Sequence, residues 1–178
     1  GRTFLVTGTT SGLGLETVTV LAQRGARVLA TARTMEKARG VVANFRSRAE
    51  APASTVGAGE VVPLVCELAD PSSVRACVRT VSQNGEQLDG IICNAGIMAL
   101  PKLEQAFGYE LQFFTNHIGH FMLVTGLFDC LASHARVVML SSSAHTMAPK
   151  PEGIQFDNLS GAHNYNPWRM YGQSKLAN

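Results

Sequence analysis

The amino-acid sequence predicts an α/β fold in which helices cover both faces of a parallel sheet. Two observations lead to this fold class. Short apolar runs alternate with segments of helical periodicity along the chain. Those runs are apolar almost throughout, which is typical of strands buried on both faces. Because crossovers between parallel strands are right-handed, the pattern gives a doubly wound domain, and we predict a single domain over residues 1–178.

The first half of the chain contains three predicted strand–helix pairs. The strands are RTFLVTG (2–8), ARVLATA (26–32) and EVVPLVCE (60–67), and the helices are LGLETVTVLAQRG (13–25), MEKARGVVANFRSRAE (35–50) and PSSVRACVRTVSQ (71–83). Gly25 supplies a helix stop, and Pro71 suits a first helical turn. The small-residue stretch APASTVGAGE (51–60) is predicted to be a loop.

The second half begins with a fourth strand, LDGIICNAG (88–96), and a long helix is predicted over roughly Gly108 to Leu131. A fifth strand follows in ARVVMLSS (135–142). The last helix, PWRMYGQSKLAN (167–178), opens behind Asn166 and Pro167. Between them, Ser143 to Tyr165 lacks clear periodicity, and loops of this length are usually functional. We therefore predict that this segment is an active-site flap.

Charge and apolar patterning exclude several classes of protein. A net charge of +2 over 178 residues is too small to indicate nucleic-acid binding. The most apolar stretch, residues 113–131, is interrupted by Asn116, two histidines and Asp129, so no membrane span is predicted. The sequence GRTFLVTG starts directly with a predicted strand and does not resemble a signal peptide, so we expect none. These observations favour a cytoplasmic protein.

Cysteine and histidine spacing gives no metal site. The four cysteines stand singly, without a CxxC pair, at Cys66, Cys77, Cys93 and Cys130. This usage is typical of small core residues in a reducing compartment. His117 and His120 lie three apart in one predicted helix, but no cysteine or carboxylate accompanies them.

The stretch TGTTSGLG places Gly8, Gly12 and Gly14 between the first strand and the first helix. Glycines there let the backbone turn tightly and approach a pyrophosphate held at the helix N-terminus. At the first βα turn of a doubly wound sheet, this pattern predicts a Rossmann-type dinucleotide site. A plain glycine turn is the alternative.

The end of the second strand indicates which dinucleotide binds. An acid there bonds the ribose 2′-hydroxyl of NAD, whereas an arginine accommodates the 2′-phosphate of NADP. Ala32 and Arg33 occupy these positions, and no acid occurs before Glu36. The sequence therefore favours NADP, with an ordinary surface arginine as the alternative.

At this point the chain resembles the short-chain dehydrogenase/reductase family over nearly its whole length. TGTTSGLG matches the family's TGxxxGxG, and CNAG matches NNAG with Cys93 in place of the first Asn. Asn116 in TNHIGHF, the strand VVMLSSSAH, and the YxxxK pair Tyr171 and Lys175 also match. Five motifs in the right order make the resemblance specific.

Finer details resemble the retinol-dehydrogenase-like branch, which commonly prefers NADP. They are NHIGHF, SSSAH, YGQSKLAN and the insert GIQFDNL. Glu67 stands where the family usually has an adenine-contacting Asp. The resemblance implies that the cofactor is bound by Gly8, Thr10, Ser11, Gly12, Leu13, Gly14, Arg33, Glu67, Leu68, Asn94, Ala95, Gly96, Tyr171 and Lys175.

The resemblance also implies the catalytic roles. Tyr171 would exchange a proton with the substrate oxygen, and Lys175, four residues later, would favour the ionised phenol and bond the nicotinamide ribose. Ser142 would polarise the substrate carbonyl, with Ser141 and Ser143 as alternatives. Asn116 would hold a proton-relay water; a buried amide satisfied by backbone is the alternative. The implied reaction is hydride transfer between NADP(H) and a small-molecule carbonyl or alcohol.

Two other functions stay open: a non-catalytic NADP(H)-binding protein for redox sensing or assembly, and a light-dependent protochlorophyllide reductase, which shares SGLGL. The chain ends within its last predicted helix, without a stop signal. We therefore expect a protein truncated after the catalytic helix, poorly soluble and inactive by itself. The full-length form would complete the substrate site and could form a homo-oligomer.

Overall fold

A computed structural model describes residues 1–49 and 59–178. Most of the predicted loop at 51–60 lies outside the described residues. The main sheet contains the strands β1 (Thr3–Val6), β2 (Arg27–Ala32), β3 (Glu60–Val65), β4 (Leu88–Cys93) and β7 (Leu131–Met139). These five strands are parallel and lie in the order β3-β2-β1-β4-β7, which confirms the predicted fold class.

Helices cover the sheet on both sides. They are α1 (Gly12–Gln23), α2 (Met35–Ala49), α3 (Pro71–Gln83), α4 (Leu111–Phe113), a π-helical segment (Phe114–Ile118), α5 (Gly119–Gly126) and α6 (Pro167–Leu176). Short 3₁₀ helices occupy Phe128–Cys130, Ser143–Met147 and Phe156–Asn158. Among the described residues, no helix combines the length and the apolarity needed to cross a membrane.

Three helix boundaries follow from capping chemistry that the sequence displays. After α1, the N–H of Ala26 bonds the Leu21 carbonyl and that of Gly25 (φ 84°) bonds Ala22, the Schellman arrangement. The Asp70 side chain caps α3 by accepting from the N–H of Ser72. The Asn166 side chain caps α6 through two backbone N–H groups. The predicted starts of α3 and α6 are thus confirmed.

Two hydrophobic clusters lie on opposite faces of the sheet. Leu5 packs with α3 and α5, whereas its neighbour Val6 packs with α1 and α2. Successive strand residues point to opposite faces, so a strand covered on both sides must be apolar at every position. Cys66, Cys77 and Cys93 belong to the first cluster, which confirms them as core residues, and Cys130 packs partly buried against that cluster.

The predicted helix from Gly108 to Leu131 is wrong at both ends. Residues Gln105–Ala106 (β5) and Tyr109–Glu110 (β6) form an antiparallel hairpin. Phe107 and Gly108 turn it with φ values of 51° and 84°, as a two-residue hairpin turn requires. At the other end, β7 begins at Leu131, which pairs with Leu88. Tertiary strand pairing therefore overrides the apolar helical pattern.

The segment from Ser143 to Tyr165 is less irregular than predicted. It contains two 3₁₀ helices, and hydrogen bonds tie it to α6 and to the hairpin: the N–H of Gln155 donates to the Gln173 side chain, and that of Glu110 donates to the Leu159 carbonyl. Its role as a flap stays a prediction. Among the described residues, β7 pairs with β4 alone and forms one edge of the sheet, and its Val137 and Val138 are 40% and 45% exposed.

Candidate active site

A cleft of about 560 Å³ lies where the strand order reverses, at the carboxyl ends of β1, β2 and β4. Open α/β sheets bind ligands at this switch point. Eleven of the predicted cofactor residues line it: Gly8, Thr10, Ser11, Leu13, Gly14, Arg33, Glu67, Leu68, Asn94, Ala95 and Gly96. Gly12, Tyr171 and Lys175 are not among the lining residues. The fold therefore brings most of the predicted set together from four separate stretches of sequence.

The glycine loop is shaped by close backbone packing. A Cβ at Gly8 would lie 2.7 Å from the Cα of Ala95, and a Cβ at Gly14 would lie 2.1 Å from the carbonyl oxygen of Gly8. The Asn94 amide clamps the same loop by donating to the carbonyls of Thr7 (2.9 Å) and Gly8 (3.1 Å). Side chains are thus excluded at Gly8 and Gly14, which lets the backbone of the turn pack closely beside the cleft, as pyrophosphate binding needs.

Two basic side chains line the cleft beyond the end of β2. Arg33 is largely exposed, and its Nε lies 4.0 Å from a carboxylate oxygen of Glu67. Lys37, in the first turn of α2, also lines the cleft. Sequence reasoning missed Lys37, although a second basic residue four positions after Arg33 was a signal that both could serve one phosphate.

Thr115 supplies an unpaired polar atom in the cleft wall. Its side chain is only 8% exposed, and its hydroxyl has no hydrogen-bond partner in the described part of the chain. An unpaired buried hydroxyl costs about 1–3 kcal/mol. A dinucleotide carries many hydroxyl and phosphate oxygens that could pair with it. The cleft therefore fits a dinucleotide both in its glycine cradle and in this unsatisfied group.

Asn116 lies fully buried in the π-helical segment. Its side-chain oxygen accepts from the N–H of Ile97 (2.9 Å), and its amide donates to the Ile97 carbonyl and to the Ser174 hydroxyl, both at 2.9 Å. The side chain therefore uses its oxygen and both amide hydrogens on protein groups. Two of these partners are backbone groups of Ile97, as in the alternative of a backbone-satisfied amide, and the third is the Ser174 side chain. The predicted water relay stays a prediction.

Tyr171 and Lys175 lie next to each other on α6, with the Lys175 Nζ 5.9 Å from the centre of the tyrosine ring. Lys175 is only 5% exposed and donates to the Leu140 carbonyl at 2.8 Å. Burial lowers the pKa of Lys175 by removing its ammonium from water. A Cβ at Gly96, in the cleft wall, would be 3.6 Å from this Nζ. The ammonium thus joins the tyrosine to the cleft.

The three consecutive serines differ in their hydrogen bonds. The Ser141 hydroxyl donates to the Lys175 carbonyl at 2.6 Å, whereas Ser142 Oγ accepts from the N–H of Ala144 at 3.2 Å. Ser143 is exposed. Gly172 lets α6 approach this turn, since a Cβ there would lie 2.7 Å from the Ala144 carbonyl oxygen. Because Ser142 Oγ accepts in this bond, its own proton stays available for another partner. This favours Ser142 over Ser141 as the serine that polarises the substrate carbonyl.

Ser174 was missed by the sequence analysis. It is fully buried, and its hydroxyl accepts from the Asn116 amide while donating to the Tyr171 carbonyl at 2.7 Å. It therefore ties the helix carrying Tyr171 to the π-helical segment. Its place directly before Lys175 gave no signal of a tertiary contact.

The sequence matches the short chain dehydrogenase family over residues 2–153. It is 42% identical to a probable oxidoreductase of Streptomyces antibioticus, an alignment that covers 99% of this chain and 56% of that protein. It is 37% identical to retinol dehydrogenase 14 of Homo sapiens, covering 100% of this chain and 54% of that one. The chain thus spans about half the length of these curated relatives.

Solved structures agree on the architecture. A protein from Mycobacterium paratuberculosis, uncharacterized in function, matches with a TM-score of 0.80 and 36% identity, over 98% of this chain and 57% of that one. An oxidoreductase from E. coli matches with a TM-score of 0.69 and 22% identity, over 99% and 65%. The second likeness bears on the fold alone.

Proposed function

We propose that this chain, which belongs to the retinol-dehydrogenase-like branch of the short-chain dehydrogenase family, carries the cofactor site and the catalytic side chains of an NADP(H)-dependent oxidoreductase. The family uses nicotinamide cofactors and small-molecule substrates. The observation that carries the proposal is the buried Lys175 ammonium, which lies beside the Tyr171 ring and against the Gly96 wall of the dinucleotide cleft.

The side chains of this protein would transfer the proton to or from the substrate oxygen. A bound nicotinamide dinucleotide supplies or removes the hydride. In the reducing direction, Tyr171 gives its hydroxyl proton to the substrate oxygen and is left as a phenolate, which the Lys175 ammonium stabilises. Ser142 donates a hydrogen bond to the same oxygen, where negative charge develops. In the oxidising direction, the phenolate takes the alcohol proton back.

The Lys175 ammonium suits this task because none of the salt bridges among the described residues involves it. Its Nζ donates a hydrogen bond to the Leu140 carbonyl. A buried cation without a carboxylate partner is costly. A phenolate on Tyr171 and the ribose oxygens of a cofactor would each offset that cost, so the folded chain is poised to favour both.

NADP is the proposed dinucleotide because Arg33 and Lys37 line one cleft and Ala32, not an acid, ends β2. A charge-assisted hydrogen bond to phosphate contributes about 1.5–3 kcal/mol, hence at least tenfold in affinity. Glu67 opposes this partly, since it lies near Arg33. Two basic side chains and one carboxylate still leave a net positive charge, which favours binding of the additional 2′-phosphate of NADP.

A turnover assay tests the proposed carbonyl reduction. The complete natural protein is assayed with NADPH against a panel of aldehydes and ketones, beside Tyr171→Phe and a control, Tyr109→Phe, on the partly exposed hairpin. Tyr171→Phe should lower kcat at least about 1000-fold, with the Kd for NADPH within about threefold of the wild type. The control should match the wild type. A Tyr171→Phe protein that keeps most of its rate contradicts the mechanism, and binding without turnover on any carbonyl favours a non-catalytic protein.

Binding titrations test the choice of cofactor. NADPH should bind at least about tenfold more tightly than NADH. The double change Ala32→Asp with Arg33→Leu should reverse that order, whereas Arg39→Leu, a surface change on α2 outside the cleft, should not. Equal affinities for the two dinucleotides in the wild type contradict the proposed preference.

A further inference from the structure

His120 occupies a fully buried position at the second residue of α5, and both of its ring nitrogens are bonded. Nδ1 lies 2.9 Å from the carbonyl oxygen of Asn116, and Nε2 lies 2.8 Å from the hydroxyl of Thr7. A carbonyl can only accept, so Nδ1 carries the proton and Nε2 accepts from Thr7. Burial lowers the pKa of His120 to about 4, which keeps this neutral form at neutral pH.

On one side, the imidazole is attached to the wall of the cleft. Thr7 directly follows β1, and its hydroxyl accepts from the N–H of Ala95 at 3.0 Å. The Thr7 and Gly8 carbonyls accept in turn from the Asn94 amide. The Thr7 hydroxyl can donate its one proton to His120, because the other acceptor near it, the Ile92 carbonyl, is distant at 3.5 Å.

On the other side, the imidazole reaches the catalytic helix. The Asn116 amide side chain bonds Ile97 and Ser174, and the Ser174 hydroxyl donates to the Tyr171 carbonyl. A chain of hydrogen bonds therefore runs from the glycine loop to the turn of α6 that presents Tyr171. It passes through His120 to the backbone carbonyl of Asn116, and from the Asn116 side chain onward. Besides the bond between His120 and Asn116, the hydrogen bonds of this network join residues 113, 58 and 3 positions apart in the sequence.

We propose that His120 is a positioning residue that couples the dinucleotide loop to the catalytic helix, so that one arrangement of Thr7, Asn116 and Ser174 serves both sites. This inference rests on the proposed function. A histidine suits the junction because its rigid ring offers a donor and an acceptor on opposite sides. Asparagine can reproduce the Nδ1 side alone and glutamine the Nε2 side alone, so the two links can be broken separately.

An ordinary core histidine would behave differently. Breaking its bonds would lower the temperature of unfolding, but each molecule that stays folded would bind cofactor and turn over as the wild type does. A positioning residue changes the properties of the folded molecules themselves. The decisive quantities are therefore kcat and the Kd for NADPH, measured where circular dichroism shows the variants to be folded.

The experiment compares His120→Asn and His120→Gln in the complete natural protein, with His117→Asn as the control from the same helical region. We expect kcat to fall about 10- to 100-fold in both His120 variants, the Kd for NADPH to rise severalfold in His120→Asn, and the control to stay within about twofold. Ser174→Ala should lower kcat too. Its effect should be less than additive in the His120→Asn background, because both changes interrupt one network.

Three results overturn the inference. The first is a folded His120→Asn protein whose kcat and Kd match those of the control. The second is strict additivity with Ser174→Ala. If the variants fail to fold, ¹⁵N NMR of the wild-type histidines decides. We expect the His120 Nδ1–H tautomer and a shift of its Nε2 resonance on adding NADPH. The third overturning result is an Nε2–H tautomer or an Nε2 resonance that NADPH leaves unchanged. A wild type that binds no dinucleotide overturns the proposed function itself, which is a separate result.

Discussion

The dinucleotide cleft and the catalytic corner (Asn116, Ser142, Tyr171 and Lys175) are neighbours built by opposite means. The cleft depends on side chains being absent: Gly8 and Gly14 pack where any Cβ would meet backbone. The corner depends on polar side chains being buried, and Asn116 and Lys175 are at most 5% exposed. One region is shaped by steric exclusion and the other by paired polar groups.

This difference predicts how each region fails. A substitution in the cleft acts by overlap, so it costs both binding and stability. A substitution in the corner removes a polar group whose burial was itself costly, so activity and stability can change in opposite directions. The four predictions below separate these two behaviours.

The largest effect should come from Gly14→Ala. The added methyl group would lie 2.1 Å from the Gly8 carbonyl oxygen and 2.5 Å from the Asn94 side-chain nitrogen. We expect affinity for NADPH to fall more than about 100-fold and the free energy of unfolding to fall by roughly 1–3 kcal/mol. Gly40→Ala in α2 is the matched control, since beyond its own helix backbone the added Cβ would meet no atom of the described residues within 4 Å. Alanine there should stabilise the helix by up to about 1 kcal/mol. Equal behaviour of the two variants would refute steric exclusion.

The second effect is a pH dependence that belongs to the buried network. His120 has a pKa of about 4 in the folded chain, and Lys175 and His117 nearby also disfavour its protonation. The unfolded chain binds this proton at about pH 6.5, so the free energy of unfolding should fall between pH 6.5 and 4, by about 3 kcal/mol in full. Burial raises the pKa of Glu110 and acts oppositely. The test is therefore the wild-type curve minus that of His120→Asn; parallel curves would contradict it.

The third effect compares two adjacent serines. Ser142→Ala should lower kcat by about 100-fold, because its hydroxyl serves the substrate. It should lower stability less than Ser141→Ala does, because the bond that its Oγ accepts from the N–H of Ala144 is long, at 3.2 Å. Ser141→Ala removes the hydrogen bond to the Lys175 carbonyl. It should therefore lower the free energy of unfolding by about 1 kcal/mol and affect kcat less. Kinetics and urea unfolding of both variants check this, and a reversal of the two patterns would make Ser141 the catalytic serine.

The fourth effect is a change in stability of the opposite sign. Lys175→Met removes a buried ammonium of lowered pKa, and the Leu140 carbonyl keeps a bond from Asn178 at 3.2 Å. We expect the free energy of unfolding at neutral pH to rise by about 1 kcal/mol, while turnover is lost. Wild-type stability should correspondingly rise with pH as Lys175 nears its unfolded pKa. A Lys175→Met protein less stable than the wild type would show that packing of the lysine stem outweighs its charge.

Local chemistry made much of the fold predictable from the sequence. The strands are continuous apolar runs because both faces of the sheet are covered, and Gly25, Asp70 and Asn166 mark helix boundaries through bonds to their own neighbours. The cleft was predictable for the same reason, since its loop is one contiguous stretch in which Gly8 and Gly12 take positive φ values of 68° and 56°, a conformation that favours glycine.

Tertiary structure decided the features that depend on distant partners. The helix predicted from Gly108 gave way to a hairpin, and Leu131 joined a strand because Leu88 was there to pair with it. Thr115 and Ser174 carried no local signal, because their importance lies in an unmet or a long-range hydrogen bond. Residue types and their spacing specify which positions can turn, cap a helix or fill the core. Only the folded chain decided which buried polar groups meet, because a polar side chain does not encode the position of its partner.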